Sequence, residues 1–212
     1  MVYSVKELYF TLQGEGVQTG RPAVFCRFSG CNLWSGRESE RSGAVGQFCD
    51  TAFVGPDGHG GGRFDGAKSL ADAIVDTWAS ASEEGIPYVV FTGGEPLLQL
   101  DTPLVKKLKQ EKFQTGVETN GTILAPQGLD WICVSPKSNA SLVQRSGNEL
   151  KLVYPQIGVD PARYKTLAFD HFLLQPKDGP DRDINTSKAA EYCSEHRGWS
   201  VSIQTHKLFG LL

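Results

Sequence analysis

Short apolar runs, each followed by a cluster of polar residues, recur along the chain and predict β-strands. Several runs alternate apolar and polar side chains with a period of two, which is typical of strands. Three other segments carry apolar residues at helical spacing; in the first, Leu70, Ile74 and Trp78 share one face after a Ser69 cap. The predicted strands are 23–29, 88–92, 114–119, 131–135, 149–154, 171–175 and 199–205, and the predicted helices are 69–82, 102–110 and 184–196.

The order of these elements predicts a parallel sheet, because strands that alternate with helices are joined by right-handed crossovers. Two connections, 119–131 and 135–149, are near the dozen-residue minimum for a parallel crossover. They carry Gly, Pro and Ser rather than helical spacing, so we expect no helix in either of them. The pattern therefore predicts an α/β fold that forms a reduced, partly open (β/α) barrel.

Length and composition favour a single domain, 1–212, that acts on a small molecule. A chain of 212 residues with 40% hydrophobic residues can bury one sizeable core. The balance of 21 basic and 24 acidic residues gives no electrostatic reason to bind nucleic acid or an anionic membrane. The N-terminal segment has neither a basic region nor an apolar signal-peptide region, and no apolar run is long enough to span a bilayer. We therefore expect a cytoplasmic protein.

Polar residues at the ends of the predicted strands form the candidate site, because functional groups in parallel α/β folds gather at the carboxyl ends of strands. Glycines at 93 and 94 would let a ligand approach the backbone closely, and the Glu95 carboxylate could bind a cationic amino group. The alternative for this segment is a simple turn before Pro96. These strand-end clusters, expected to face one opening, are 92–95, 118–120, 135–137, 175–178 and 204–206.

Cysteines indicate an iron-sulfur site rather than a disulfide framework, because the five of them are odd in number and scattered. Cys31 and Cys49 frame a polar loop, and iron-sulfur clusters are held by cysteine thiolates, usually from a Cys-x-x-Cys pair close to a third cysteine. The residue that would complete a Cys-x-x-Cys pair with Cys49 is Gly46, which has no side chain. Cys26 lies in a predicted strand and is expected to pack in the core, and the remaining two cysteines are also expected to be structural.

Seven motifs together make the chain resemble the 7-carboxy-7-deazaguanine synthase family. Members of this family are radical S-adenosylmethionine enzymes of the deazapurine pathway. The motifs are LQGEG at 12–16, RFSGCNLW at 27–34, FCDT at 48–51, GGEP at 93–96, ETNG at 118–121, SPK at 135–137 and QTHK at 204–207. They occur in order from about residue 8 to the C-terminus. The chain is most similar to the branch with a long insertion in the cluster loop, which implies cluster cysteines at positions 31, 46 and 49. Glycine at 46 is the departure from that pattern.

The resemblance implies a 4Fe-4S cluster, S-adenosylmethionine and Mg²⁺ as cofactors, and it assigns residues to each. Cys31 and Cys49 would hold the cluster, with Gly46 at the third position, and Thr51 would bind Mg²⁺; the alternative for Thr51 is a cap or turn. Residues implied for S-adenosylmethionine are Phe48, Cys49, Asp50, Gly93, Gly94, Glu95, Ser135, Pro136, Lys137, Gln175, Pro176, Lys177 and Asp178.

The implied substrate is 6-carboxy-5,6,7,8-tetrahydropterin. Arg27 can bind a carboxylate with two parallel hydrogen bonds, and Gln13, Glu15, Glu118 and His206 can pair with the ring. The resemblance assigns to this pterin Leu12, Gln13, Gly14, Arg27, Thr92 and Leu212.

The implied reaction is a radical contraction of the pterin ring to 7-carboxy-7-deazaguanine with loss of ammonia, by a homodimer that receives electrons from a donor such as flavodoxin. A second possibility is another small radical S-adenosylmethionine enzyme, for example one that activates a protein glycyl site; the motifs at 12–16 and 118–121 argue against it. A third, favoured by Gly46, is a cluster-deficient protein that binds the pterin and S-adenosylmethionine without efficient catalysis.

Overall fold

The computed structural model describes residues 1–45, 51–81 and 84–211, and the strands within those ranges form one nine-stranded sheet. The strands are Val2–Leu12 (β1), Pro22–Phe28 (β2), Gly62–Asp65 (β3), Tyr88–Gly93 (β4), Gln114–Thr119 (β5), Trp131–Val134 (β6), Ser146–Tyr154 (β7), Ala168–Pro176 (β8) and Trp199–Val201 (β9). The α-helices are Gly66–Ala81 (α1), Thr102–Gln110 (α2), Arg182–Glu195 (α3) and Thr205–Phe209 (α4). Single 3₁₀ segments occur at Glu38–Gly43, Pro96–Leu98 and Pro161–Tyr164.

The sheet has the order β3-β1-β2-β4-β5-β6-β7-β8-β9. From β2 to β9 every neighbouring pair is parallel, and β1 pairs antiparallel with β2 and with β3. The strands in the described ranges do not close into a ring, because β3 and β9 each have one strand neighbour. The prediction of a partly open α/β barrel is confirmed. The connections β5–β6 and β6–β7 contain no helix in residues 84–211, as their composition predicted.

Helices α1 and α2 cover one side of the sheet with their apolar faces. Ile74 and Trp78 of α1 and Leu104 and Leu108 of α2 are buried in one cluster with side chains of β1, β2 and β4. Each fully buried side chain of this kind contributes about 1.5–3 kcal/mol to folding. Asp101 fixes the start of α2, since its carboxylate accepts hydrogen bonds from the Leu104 amide at 3.0 Å and the Tyr3 hydroxyl at 2.6 Å.

Three elements were not predicted from the pattern: β1, β3 and α4. In β1 the apolar alternation is interrupted where the register shifts between Val5 and Glu7, which hides the strand from a period-two reading. Segment 55–66 is rich in glycine, which is typical of a loop, but Gly62–Asp65 forms β3 by pairing with β1. The predicted strand 199–205 is shorter, because β9 ends at Val201 and α4 begins at Thr205. No helix in the described ranges is long and apolar enough to cross a membrane.

Candidate functional site

A cavity of about 530 Å³ opens at the carboxyl ends of the parallel strands. Its walls bring together residues that are far apart in the sequence, as the strand-end pattern predicted. Of the residues predicted to bind the pterin, those on its wall are Leu12, Gln13, Gly14, Glu15, Arg27, Thr92, Glu118 and His206. Of those predicted to bind S-adenosylmethionine, the wall includes Gly93, Gly94, Ser135, Lys137, Gln175, Pro176, Lys177 and Asp178.

Arg27 provides a cation on the wall of this cavity. Its Nε donates to Glu7 Oε2 at 2.9 Å and its Nη2 donates to the Tyr9 hydroxyl at 3.0 Å. Burial alone would lower the pKa of this guanidinium, but Tyr9 and Glu7 outweigh it and raise the pKa. These contacts use two of the five N–H donors, so the guanidinium retains hydrogen-bonding capacity for an acidic ligand.

The same cavity wall carries two carboxylates and one ammonium, from Glu15, Glu118 and Lys151, which we call the carboxylate cluster. Lys151 Nζ lies 2.5 Å from Glu15 Oε2 and 3.7 Å from Glu118 Oε1. Burial would raise the pKa of the Glu15 carboxyl, but Lys151 and a hydrogen bond from Gln204 outweigh it, and the pKa is lowered to about 2. Glu15 is therefore an ionised hydrogen-bond acceptor at neutral pH.

Gln13 connects this cluster to the loop that carries it. Its amide Nε2 donates to Glu118 Oε1 at 2.9 Å, and its Oε1 accepts from the Glu15 backbone amide at 3.1 Å. The side chain is 5% exposed. Both ends of the amide are thus held in place, so Gln13 orients the two glutamates as well as facing the cavity.

The loop between β1 and β2 bridges the gap between β1 and the C-terminal segment. The Gly16 amide donates to Ser202 Oγ at 2.9 Å, the Thr205 amide donates to the Gly14 carbonyl at 2.9 Å, and Gln204 Nε2 donates to Glu15 Oε1 at 2.7 Å. We call this set of contacts the seam. It places Gln13, Gly14 and Glu15 opposite the strand ends of the sheet.

Gly93 and Gly94 allow close approach by the protein backbone. A Cβ at either position would overlap backbone atoms: the Phe28 carbonyl oxygen at Gly93 and the Gly30 carbonyl oxygen at Gly94. Gly93 also has a φ of 129°, which disfavours other residues. The glycines therefore let the chain leading to Cys31 pack against the end of β4, while both still line the cavity.

The Glu95 carboxylate does not lie on the cavity wall. It is fully buried and accepts hydrogen bonds from the Leu97 amide at 3.0 Å, Thr119 Oγ1 at 2.7 Å and the Asn120 amide at 2.8 Å. Burial raises the pKa of the Glu95 carboxyl, although the three hydrogen-bond donors act in the opposite direction. This geometry joins the ends of β4 and β5 and does not present the carboxylate to an amino group. Pro136 is likewise buried, between two residues that face the cavity.

Gln175, at the end of β8, has a polar atom that the protein does not satisfy. Its Oε1 is buried and has no hydrogen-bond partner among the described residues. Buried amide oxygens are nearly always paired, so this atom indicates a ligand donor. Nearby on the wall, Lys137 Nζ donates to Ser135 Oγ at 2.7 Å. An unpaired acceptor beside a cation and a hydroxyl fits a polar ligand such as a nucleoside with an amino acid tail.

Part of the predicted cluster site lies outside the described residues. These residues are Gly46, Phe48, Cys49 and Asp50. Leu212, which the resemblance assigns to the pterin, also lies outside the described residues. Cys31 is described: it is partly exposed, and its Sγ accepts from the Leu33 amide at 3.4 Å. No three His, Cys, Asp or Glu side chains come together as a metal site in 1–45, 51–81 and 84–211. The sequence itself offers two thiolates at the three implied positions, so its donor set does not fit a three-thiolate 4Fe-4S cluster.

Thr51 lies on the cavity wall, where its hydroxyl can reach a ligand or a ligand-bound cation. Its placement fits the single protein oxygen that Mg²⁺ often takes.

Other wall residues were not predicted from the sequence, among them Tyr9, Phe25, Cys133 and Lys151. Cys133 is buried, as expected of a structural cysteine, but it faces the cavity beside Glu149. Lys151 had a signal in the sequence, because it alternates with the apolar residues Leu150 and Leu152.

Comparison with known proteins gives a consistent result. The chain matches no protein-family model. It is 57% identical over 211 residues to the 7-carboxy-7-deazaguanine synthase of Bordetella pertussis, and 58% identical over 211 residues to that of Caulobacter vibrioides. Both alignments cover 100% of each chain. The fold is similar to the crystal structure of QueE from Escherichia coli, with a TM-score of 0.67 and 27% identity over 96% of this chain and 94% of that one.

Proposed function

We propose, since the chain belongs to the 7-carboxy-7-deazaguanine synthase family, that it converts 6-carboxy-5,6,7,8-tetrahydropterin into 7-carboxy-7-deazaguanine with loss of ammonia. The observation that carries the proposal is the cavity itself. It combines a cation, Arg27, with a carboxylate cluster and with a second group of polar strand ends. A pterin acid and S-adenosylmethionine together need these three features.

The chain's own residues would bind and orient the pterin. Arg27 would bind the carboxylate, because a guanidinium matches the geometry of that group. Glu118 would accept from the 2-amino group and the adjacent ring N–H, with Gln13 holding its position at 2.9 Å. Phe25 and Tyr9 give the wall apolar surface for the ring. This orientation fixes which ring carbon faces the second group of residues.

The strand ends of β4, β6 and β8 would bind S-adenosylmethionine. Bound S-adenosylmethionine would supply a 5′-deoxyadenosyl radical for hydrogen-atom removal, provided that a reduced iron-sulfur cluster gives it the one electron that this cleavage requires. The unpaired Gln175 Oε1 would accept from the ligand, and Ser135 and Lys137 would contact its polar groups. Thr51 would provide one oxygen to Mg²⁺ beside the substrate.

Three further features are proposed on the resemblance alone: a flavodoxin-like electron donor, a homodimer and a cytoplasmic location.

A second candidate function is supported by Gly46. With two thiolates at the three cluster positions, the protein would bind the pterin and S-adenosylmethionine but assemble iron poorly. The cavity is the same in both functions, and the two differ in cluster content and turnover.

Anaerobic reconstitution tests both functions. We expect the unmodified protein to retain substoichiometric or labile iron and sulfide, and Gly46→Cys to raise both the iron content and the cleavage of S-adenosylmethionine. The control is Gly43→Cys, which adds a thiol to the same loop at the wrong spacing; an added Cβ there meets no atom within 4 Å in the described residues.

Three results would distinguish the possibilities. Conversion of the pterin acid by the Gly46→Cys protein supports the synthase. A full, stable cluster in the unmodified protein would contradict the role assigned to position 46. Failure of every variant to bind the pterin acid would contradict the proposed function itself.

A further inference from the structure

Lys151 is a buried lysine on the cavity wall to which the resemblance assigns no role. It lies in the middle of β7 between Leu150 and Leu152, which are fully buried in the core on the opposite face of the strand. The residue is 4% exposed, and its ammonium faces inward. Burying a lysine is costly unless acidic partners compensate, so the surrounding groups decide its role.

The groups around Lys151 come from the β1–β2 loop, β5, β6 and β7, and they are mainly acidic. Glu15 is contributed by the β1–β2 loop at 2.5 Å and Glu118 by β5 at 3.7 Å. Glu149 from β7 and Cys133 from β6 also act on its charge. The other titratable groups that act on the cluster are Tyr88 of β4, beside Glu118, and His206 of α4, beside Glu15.

Not all of these carboxylates are available to a ligand. Glu149 Oε2 accepts from the Val17 backbone amide at 2.9 Å, so Glu149 holds the β1–β2 loop. Glu15 and Glu118 remain as the two carboxylates that line the cavity and share one cation. Such a pair presents acceptors only, and it therefore favours a ligand edge that presents donors.

We propose that Lys151 is a positioning residue that holds the Glu15 and Glu118 carboxylates in place as paired acceptors, so that the cavity selects a ring with an amino group and an adjacent N–H over the same ring with a carbonyl in place of the amino group. This inference rests on the proposed function for the class of ring, and it adds the residue and the charge arrangement that impose selection. Lys151 acts through the glutamates and does not touch the ligand.

The electrostatics support this arrangement. Burial would lower the pKa of Lys151, but Glu118 and Glu15 raise it well above its usual range. Without Lys151, burial would dominate at Glu15 and would favour the protonated form of that carboxyl. A protonated carboxyl offers a donor where the ligand edge also offers donors. The loss of Lys151 should therefore make ligand binding depend on pH.

Two stable ring acids test the selection by equilibrium binding. 6-Carboxypterin has the 2-amino group, and 6-carboxylumazine has a carbonyl at that position. We expect the unmodified protein to bind the pterin at least about tenfold more tightly than the lumazine, since a lost hydrogen bond to a charged group costs about that much or more. We expect its affinity to change little between about pH 5 and 7, because Glu15 and Lys151 keep their charges in that range.

Lys151→Met should weaken pterin binding at about pH 5 by 10-fold to 100-fold, with much of the affinity returning as the pH rises and Glu15 loses its proton. Binding of the lumazine should change much less. The matched control is Lys107→Met, which removes a lysine paired with Glu111 at 2.7 Å on α2, outside the cavity. Its affinities and pH profile should equal those of the unmodified protein.

Each outcome decides between the possibilities. If Lys151→Met loses affinity equally for both ligands at every pH, Lys151 has only a structural role. Equal affinities of the unmodified protein for the two ligands would also overturn the inference. If the unmodified protein binds neither ligand, the proposed function fails instead. If Lys151→Met does not fold, the double variant Glu15→Gln/Lys151→Met removes both charges together. Its retention of the full preference for the pterin would overturn the proposal, and its loss of that preference would support it.

Discussion

Gly14 lies directly against the imidazole of His206, so closely that a Cβ at position 14 would overlap its Nδ1. The Gly14 carbonyl also accepts from the Thr205 amide at 2.9 Å. Position 14 thus brings the β1–β2 loop and the start of α4 together on the cavity wall.

We predict that Gly14→Ala displaces His206 and lowers the free energy of unfolding by about 1–3 kcal/mol, the usual effect of adding a methyl group to a filled space. Affinity for 6-carboxypterin should fall in the same variant. Denaturant unfolding and ligand titration measure the two effects. Gly62→Ala is the control, because the nearest atom to its added Cβ is a Phe64 ring carbon at 3.8 Å. Unchanged stability and binding in Gly14→Ala would show that His206 moves aside without cost.

Replacement of Arg27 should separate the two ligands. Arg27→Ala should weaken binding of the pterin acid by about 1.5–3 kcal/mol, the scale of a hydrogen bond to a charged group, while S-adenosylmethionine binding changes little. Arg27→Lys should recover only part of the loss, since an ammonium cannot form two parallel bonds. Isothermal titration of both ligands measures the effect, with the exposed Arg145→Ala as control. An equal loss for both ligands would instead assign Arg27 to folding, through Glu7 and Tyr9.

Thr51 should matter only when the substrate and Mg²⁺ are present. In the Gly46→Cys background, Thr51→Ala should reduce turnover and its dependence on added Mg²⁺, because the variant lacks the hydroxyl ligand. Thr51→Ser should retain much of both. Steady-state turnover at several Mg²⁺ concentrations makes the comparison. Turnover that depends equally on Mg²⁺ in the alanine variant would place the ion elsewhere.

Acid should destabilise the protein partly through Glu15. The pKa of this carboxyl is about 2 in the folded protein, below its ordinary value of 4.5. A depressed carboxyl pKa stabilises the folded state above the unfolded-state value, and this stabilisation is lost as the pH falls from 4.5 towards 2. Glu15→Gln should therefore be less stable near neutral pH and should lose less stability over that acid range.

Urea unfolding across the pH series measures this effect of Glu15. Glu111→Gln on the surface of α2 is the control and should follow the unmodified protein. Parallel pH profiles for Glu15→Gln and the unmodified protein would show that Glu15 does not carry this acid dependence.

The gathering of strand ends into one site was predictable from the sequence, because parallel strands share a carboxyl edge. Thr92, Glu118, Ser135 and Gln175 follow four separate apolar runs and meet on one wall. The role of Glu95 was not predictable, because a carboxylate after two glycines gives no sign that three donors will surround it.

Lys151 shows what a pattern of apolar residues conceals. A lysine in a strand is normally read as exposed, but Leu150 and Leu152 occupy the core face of β7 and leave Lys151 on the inner face. Its two ion-pair partners are distant in sequence: Glu118 lies on another strand, and Glu15 is 136 positions away. Only the three-dimensional fold reveals that their charges compensate.

The seam has a consequence for ligand entry. Gly16–Ser202, Gly14–Thr205 and Glu15–Gln204 join the β1–β2 loop to the C-terminal segment by individual hydrogen bonds rather than by a strand ladder. These contacts can therefore separate without breaking a pair of strands, and the residues that would bind the pterin travel with the loop. Opening of the seam would then both release the product and expose the interior of the barrel to solvent. A bound ligand would slow hydrogen exchange at the Gly16 and Thr205 amides, because it would hold the seam closed.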